Sequence, residues 1–181
     1  LGLRTPPRSY QVFGTSLHSG IAHNYRRKME SQQDLPLGEV KEFFAADWDF
    51  QKGQVLWEPD ENPGKMKDEA IALLEIYQTQ IAPKIQPALV EDLFELKFEN
   101  TEYTFRGIID LVDKQSGLII DHKTSSKSPS PLNVHKDIQL TAWLVAETSN
   151  QQGWGHDGIV VTPMGATQPQ IAALTRKDID G

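Results

Sequence analysis

The sequence predicts an α/β protein with a central mixed β-sheet, a three-stranded antiparallel meander, flanking helices and extra helices at the N-terminal end. Before residue 83, apolar residues recur at the spacing of a helix, whereas afterwards short apolar runs follow one another with polar turns between them. A further helical segment separates the first three of these runs from two later ones. We expect a single domain over residues 1–181, with a helical part at about 14–87 and a sheet core at about 88–176.

The N-terminal part is expected to contain three helices. Residues 1–14 include two prolines and are predicted to be irregular, so that Thr15 or Ser16 caps a first helix that runs to about Ser31. A second, weaker helical pattern covers residues 37–51. The third helix is amphipathic and is predicted over Lys65–Ile81, before two prolines end it.

The pattern then changes to that of a sheet. Three strands are predicted in succession, followed by a helix and two more strands, and the segments are residues 89–99, 103–112, 117–123, 137–148 (the helix), 156–163 and 169–176. Because the first three strands are joined by short polar turns, they are expected to pair as antiparallel neighbours.

Composition excludes several classes of site. The chain has no cysteine, which rules out disulfides, thiolate zinc sites and iron–sulfur clusters and is compatible with a reducing compartment. No apolar stretch is long enough to predict a membrane span and no signal-peptide pattern opens the sequence, so we expect a cytoplasmic protein of a bacterial, archaeal or phage-infected cell. The sequence begins at Leu1, so we expect it to be a fragment or a processed form.

The net charge of −7 does not by itself predict nucleic-acid binding. Positive charge is nevertheless clustered locally, and each cluster fits either a binding groove or an ordinary solvated face. The clusters are Arg26, Arg27 and Lys28, and Lys123, Lys127 and Lys136.

Two aspartates in neighbouring strand-like runs are the strongest functional signal. Side chains alternate along a strand, so Asp121 and Lys123 share one face. Asp110 joins them if the hairpin register pairs it with Asp121. A four-residue turn between Asp113 and Leu118 gives that register, whereas a three-residue turn without a bulge would put Asp110 on the opposite face.

Two carboxylates that converge on one point repel each other unless a cation lies between them. Carboxylate, carbonyl and water oxygens suit Mg²⁺ or Mn²⁺, and an adjacent lysine can orient a water, accept its proton or neutralise charge on a phosphorane. A lone Asp-x-Lys at a strand end is common and usually structural. The fuller pattern, with a second aspartate and a following amphipathic helix that bears Gln139, predicts metal-dependent phosphodiester hydrolysis.

These motifs resemble the PD-(D/E)XK nuclease superfamily, in the branch similar to the nuclease domain of RecB. The resemblance is carried by four short motifs, Gly14-Thr-Ser-Leu-His18, Gly107-Ile-Ile-Asp110, Asp121-His-Lys-Thr124 and Gln139-Leu-Thr-Ala-Trp143. It implies a restriction-endonuclease-like core, with Asp110, Asp121 and the main-chain carbonyl of His122 as metal ligands. It also implies that Lys123 is the catalytic lysine.

The resemblance assigns further roles outside the strand pair. His18 would be a metal ligand on the first helix, although alone it also fits a partly buried structural histidine. Gln139 would be a catalytic residue that lines the cleft and positions the lysine or the DNA backbone. Glu91 fits either an acidic residue of the preceding strand or a solvated charge. Trp143 stands where the branch has tyrosine, so a role of that hydroxyl is in doubt.

The function implied is that of a nuclease that cleaves DNA with Mg²⁺ or Mn²⁺, most simply an exonuclease of recombination, repair or phage DNA processing. A helicase, a polymerase or another recombination protein would be its partner. An inactive relative that binds DNA or a protein is the alternative, although Asp110, Asp121 and Lys123 are all present. A calcium-stabilised or phosphate-binding module of another fold would need more carboxylates near Asp110 or a glycine-rich loop, and the sequence has neither.

Overall fold

The computed structural model describes residues 5–97, 102–124, 158–164 and 172–175. The chain divides into two compact units, Leu1–Lys84 and Ile85–Gly181, which we call the helical unit and the sheet unit. The single domain over the whole chain stays a prediction. Among the described residues, the helices are too short or too polar to cross a membrane.

The helical unit is built from three α-helices that pack against one another. They are α1 (Ser9–Ser31), α2 (Leu37–Gln51) and α3 (Pro63–Ile76). The prediction that residues 1–14 are irregular was wrong, because α1 already begins at Ser9. The two prolines precede the helix, and the side chain of Gln11 accepts a hydrogen bond from the Arg8 amide at 2.8 Å, which caps the helix start.

The third helix also differs from its prediction. It begins at Pro63, where Asn62 accepts a hydrogen bond from the Lys65 amide at 3.0 Å and thereby caps the helix. After Ile76 the chain continues as a π-helical turn (Tyr77–Ile81) and then a 3₁₀ turn (Ala82–Lys84). The core between the helices contains fully buried aromatic and aliphatic side chains, including Leu17, Tyr25, Phe44, Trp48 and Leu74.

A buried polar network holds the turn after α1. Lys28 Nζ lies 2.7 Å from Asp34 Oδ2 and donates to the Ala82 carbonyl at 2.7 Å. Asn24 donates to Asp34 at 2.8 Å and accepts from Gln78 at 3.0 Å. Lys28 is only 3% exposed, so this member of the predicted basic cluster is a structural residue and does not form a solvated face or line a groove.

The sheet unit contains a five-stranded mixed sheet in the order β1-β2-β3-β4-β5. The strands are β1 (Pro87–Lys97), β2 (Thr104–Asp113), β3 (Leu118–Thr124), β4 (Gly158–Met164) and β5 (Ala172–Thr175). The first three strands are antiparallel neighbours, β3 and β4 are parallel, and β4 and β5 are antiparallel. The predicted helix at residues 137–148 lies outside the described residues.

The turn between β2 and β3 sets the register of the hairpin. Gly117 has a φ of 66°, a conformation that glycine adopts without steric cost, and its amide donates to the Asp113 carbonyl at 2.9 Å. Leu111 consequently pairs with Ile120, and Val112 pairs with Ile119. This is the register that the four-residue turn predicts.

Candidate active site

The two aspartates of the motifs lie on neighbouring strands of the sheet unit. Asp110 belongs to β2 and Asp121 to β3, and they are the next residues of the two strands after the Leu111–Ile120 pair. The side chain of Asp121 is only 1% exposed, whereas that of Asp110 is 17% exposed. A carboxylate as buried as Asp121 needs a compensating partner or loses its charge.

The described pairing of β2 with β3 ends next to these two aspartates. The amide of His122 donates to Asp110 Oδ2 at 2.9 Å, and the described β2–β3 pairs end at Leu111 and Ile120. The strand β3 continues beyond, since it pairs with β4 as far as Thr124. The Asp110 carboxylate therefore accepts the hydrogen bond of a strand amide, which fixes that carboxylate against the backbone of β3. Sequence reasoning missed this contact.

The imidazole of His122 is close to the same carboxylate. Its Nδ1 lies 3.7 Å from Asp110 Oδ2, and the residue is 3% exposed. The sequence predicted only a role for the His122 carbonyl. Nothing in the sequence indicated the second contact, because it depends on the divergence of the two strands.

Lys123 pairs with the second aspartate. Its Nζ lies 3.0 Å from Asp121 Oδ2, and the lysine side chain is 41% exposed. The contact is an ion pair, and among the described residues the buried Asp121 Oδ2 has no hydrogen-bond partner. The lysine thus connects a buried carboxylate to the surface of the protein.

The pKa of the Asp121 carboxyl group is unusual for an aspartate. Burial raises the pKa of Asp121 to about 6, the positive charge of Lys123 opposes this rise, and the negative charge of Asp110 adds to it. The carboxyl group therefore titrates close to neutral pH in the absence of a further cation. Such a perturbed acid beside a lysine is typical of a functional site.

The chain matches a known protein family. The sequence model of the PD-(D/E)XK nuclease superfamily matches residues 1–177. The chain belongs to this superfamily. Members of the PD-(D/E)XK superfamily are generally nucleases, and they typically use divalent metals such as Mg²⁺. The search of curated proteins gives no match.

The site of this PD-(D/E)XK protein fits a divalent metal ion. Asp121 Oδ2 is buried and has no hydrogen-bond partner in the part of the chain that the structure describes, and the negative charge of Asp110 is close enough to act on it. Both groups are hard oxygen donors, which Mg²⁺ and Mn²⁺ prefer. Among the described residues of the sheet unit, no third His, Asp or Glu side chain joins them in a metal-binding group.

The other residues predicted for the site belong to the helical unit, to β1 or to positions outside the described residues. His18 is on α1 in the helical unit and its side chain is half-buried. Glu91 stands between the Val90 and Asp92 pairs of β1 and has a φ of 46°, so it departs from extended strand geometry. Positions outside the described residues include Gln139, Trp143, Lys127 and Lys136.

Asp113 is a positioning residue that sequence reasoning did not assign. It is 5% exposed, and its carboxylate accepts hydrogen bonds from the amides of Gln86 at 2.8 Å and Ser116 at 2.9 Å. The Ser116 hydroxyl donates to the same carboxylate. Asp113 thus stabilises the turn that sets the register of Asp110 and Asp121. An aspartate directly before a four-residue turn that ends in glycine was the available signal.

Proposed function

We propose that this PD-(D/E)XK protein hydrolyses DNA phosphodiester bonds with the help of a divalent metal ion. The observation that carries the proposal is the pair of aspartates on neighbouring strands, of which Asp121 is buried and is ion-paired to Lys123 at 3.0 Å. A structural ion pair does not require a second carboxylate whose charge raises the pKa of the first. A metal site requires this second carboxylate, because the two anions then share one cation.

Asp110, Asp121 and the main-chain carbonyl of His122 are the proposed ligands of Mg²⁺ or Mn²⁺. When bound, such an ion acidifies a water molecule and neutralises charge on the phosphate. The hydrogen bond from the His122 amide keeps Asp110 in place at 2.9 Å. The chain itself therefore orients one of the ligands before any ion binds.

Lys123 is the proposed catalytic lysine. Its ammonium group pairs with the buried carboxylate of Asp121, and its side chain is 41% exposed, so the same group is accessible to a substrate phosphate. In that position the lysine orients the attacking water and stabilises the additional negative charge of the transition state. Its positive charge also favours the ionised form of Asp121.

Two further roles come from the resemblance to the RecB-like branch. His18 is the proposed additional metal ligand, carried by the Gly14–His18 motif on α1. Gln139 is the proposed cleft residue that positions Lys123 or the DNA backbone. The tyrosine-to-tryptophan difference at Trp143 leaves a stacking surface and removes a hydroxyl.

The same resemblance supports an exonuclease of recombination, repair or phage DNA processing that works beside a helicase, a polymerase or a recombination protein. A cysteine-free chain is compatible with the cytoplasm, which is the location that we propose.

Digestion of end-labelled linear, circular and single-stranded DNA tests the activity. Cleavage should occur with Mn²⁺ or Mg²⁺, stop with EDTA and be weak with Ca²⁺, which has looser coordination geometry. An exonuclease should degrade the linear forms and leave the circular form intact. Asp110→Asn should abolish cleavage, whereas Asp92→Asn, at an exposed position of β1, should not.

Full cleavage in excess chelator would refute the metal-dependent mechanism. DNA binding without cleavage under every metal condition would instead identify the protein as a silent member of the superfamily.

A further inference from the structure

Two large apolar side chains are exposed as a pair on the β1–β2 hairpin. Leu93 and Ile108 are directly opposite each other in the register, and they are 63% and 53% exposed. The residues that follow them, Phe94 and Ile109, are 4% and 1% exposed, so the other face of the hairpin is covered. Single exposed apolar residues are ordinary, whereas Leu93 and Ile108 form a facing pair on one face of the hairpin.

The exposed pair lies on the face of the sheet that carries the candidate active site. Side chains alternate along a strand, so Ile108 and Asp110 project to the same face of β2. They are two residues apart, a distance of about 7 Å along the strand.

We propose that Leu93 and Ile108 contact the nucleobases of an unpaired substrate strand next to the phosphate that is cleaved. This inference rests on the proposed nuclease function and specifies its substrate. An apolar pair cannot bind phosphates, but it can pack against the faces of bases, as apolar side chains do when they insert between base steps. In a duplex those faces are covered by stacking, so the preferred substrate has single-stranded or frayed ends.

A charged pair borders the apolar pair on the side away from Asp110. Arg106 Nε lies 2.6 Å from Glu95 Oε1, and the arginine side chain is 67% exposed. Along β2 this face therefore presents an ion-paired guanidinium group, then Ile108, then the candidate metal ligand Asp110.

The size of the apolar surface favours a nucleobase over a protein as its occupant. A stable protein interface buries about 800 Å² on each partner, which two side chains cannot supply. The contact surface of one or two nucleobases, in contrast, is small enough for two side chains to cover. Self-association through the edge strand β1 is the competing explanation, and it is a distinct outcome of the experiment.

The test compares binding of a labelled single-stranded oligonucleotide with binding of an abasic strand of the same length, by fluorescence anisotropy in EDTA and in Ca²⁺. The wild-type protein should bind the strand with bases about tenfold more tightly. The double variant Leu93→Ser and Ile108→Ser should lose this preference and keep its affinity for the abasic strand. Leu56→Ser is the matched control, because Leu56 is 73% exposed but lies in the helical unit.

An unchanged preference in the double variant would overturn the inference, as would equal binding of both strands by the wild-type protein. A wild-type dimer that the double variant converts to monomer, with the preference for bases intact, would overturn it in favour of self-association. Cleavage assays separate the two proposals. Metal-dependent cleavage without a base preference refutes this inference alone, whereas a base preference without cleavage refutes the catalytic proposal alone.

Discussion

The amide of His122 donates a hydrogen bond of 2.9 Å to Asp110 Oδ2, so a carboxylate of β2 is held by the backbone of β3. In a regular antiparallel ladder, an amide at such a position bonds to a carbonyl of the neighbouring strand. Here the carboxylate takes that place where the described pairing of the two strands ends. The position of Asp110 is therefore set by the chain before any ion binds.

Metal binding should be linked to the release of a proton from Asp121. Because burial raises the pKa of this carboxyl group to about 6, a proton competes with the metal below that pH. The apparent affinity for Mn²⁺ should fall about tenfold for each pH unit below 6 and level off above 7. Calorimetry in buffers of different ionisation enthalpy measures both the affinity and the proton. A pH-independent affinity over this range would contradict the assignment of Asp121 as a ligand.

Ionisation of Asp121 should make the stability of the metal-free protein change with pH in the direction opposite to that of most aspartates. Its pKa is about 6 in the folded chain and near 3.8 in the unfolded chain, so between these values the folded state binds more protons. The free energy of unfolding should therefore decrease as the pH rises from about 4 to about 6, by at most about 3 kcal/mol from this group. Urea denaturation in EDTA at several pH values measures the effect.

The control for this stability prediction is Asp121→Asn. This variant removes the titrating carboxyl group. The difference in the free energy of unfolding between wild type and variant should therefore show the pH dependence that is predicted for Asp121. The variant should gain stability relative to the wild type above pH 6. A difference that stays constant from pH 4 to pH 7 would show that the carboxyl group is not destabilised by burial.

Replacing Lys123 should separate catalysis from metal binding. Lys123→Ala should lose most of the cleavage rate and retain metal binding at pH 8, because the lysine acts chiefly in the transition state. Loss of the lysine charge should also raise the pKa of Asp121, so metal binding in the variant should require a higher pH. Calorimetry and single-turnover cleavage measure the two properties. Asp121→Ala should instead lose metal binding at every pH.

His18→Ala tests the proposed ligand on α1. An imidazole nitrogen favours Mn²⁺ over Mg²⁺, so the variant should lose more Mn²⁺-supported than Mg²⁺-supported cleavage, with little change in melting temperature. The matched control is His23→Ala on the same helix. The ring of His23 stacks on Phe43 at 4.0 Å, so its removal should lower stability and leave the metal preference unchanged. A purely structural His18 would behave like His23.

Asp113 should be required for the register of the hairpin. Asp113→Ala leaves the amides of Gln86 and Ser116 without their acceptor and should cost about 1–3 kcal/mol of stability in urea denaturation. Asp113→Asn keeps one acceptor oxygen and should cost less. Lys114→Ala, at the exposed neighbouring position, should have little effect. Equal losses in the alanine variants of Asp113 and Lys114 would exclude the proposed role of the carboxylate.

The sequence by itself determined the α/β class and the antiparallel sheet of three strands, and it predicted the two aspartates and the lysine as site residues. Local rules suffice for these features, because apolar periodicity distinguishes helix from strand and the length of a turn fixes the register of a hairpin. The same rules failed at the start of α1, where the capping contact between Arg8 and Gln11 replaced the expected cap at Thr15 or Ser16.

The tertiary structure decided which charges are buried and how strands diverge. Lys28 belongs to a basic run in the sequence but is buried against Asp34, and Asp113 holds a turn through an amide 27 residues away. The contact between His122 and Asp110 lies where the described pairing of β2 and β3 ends. Burial and the distance between charges set the pKa of a carboxyl group, and both depend on contacts between residues that are distant in sequence.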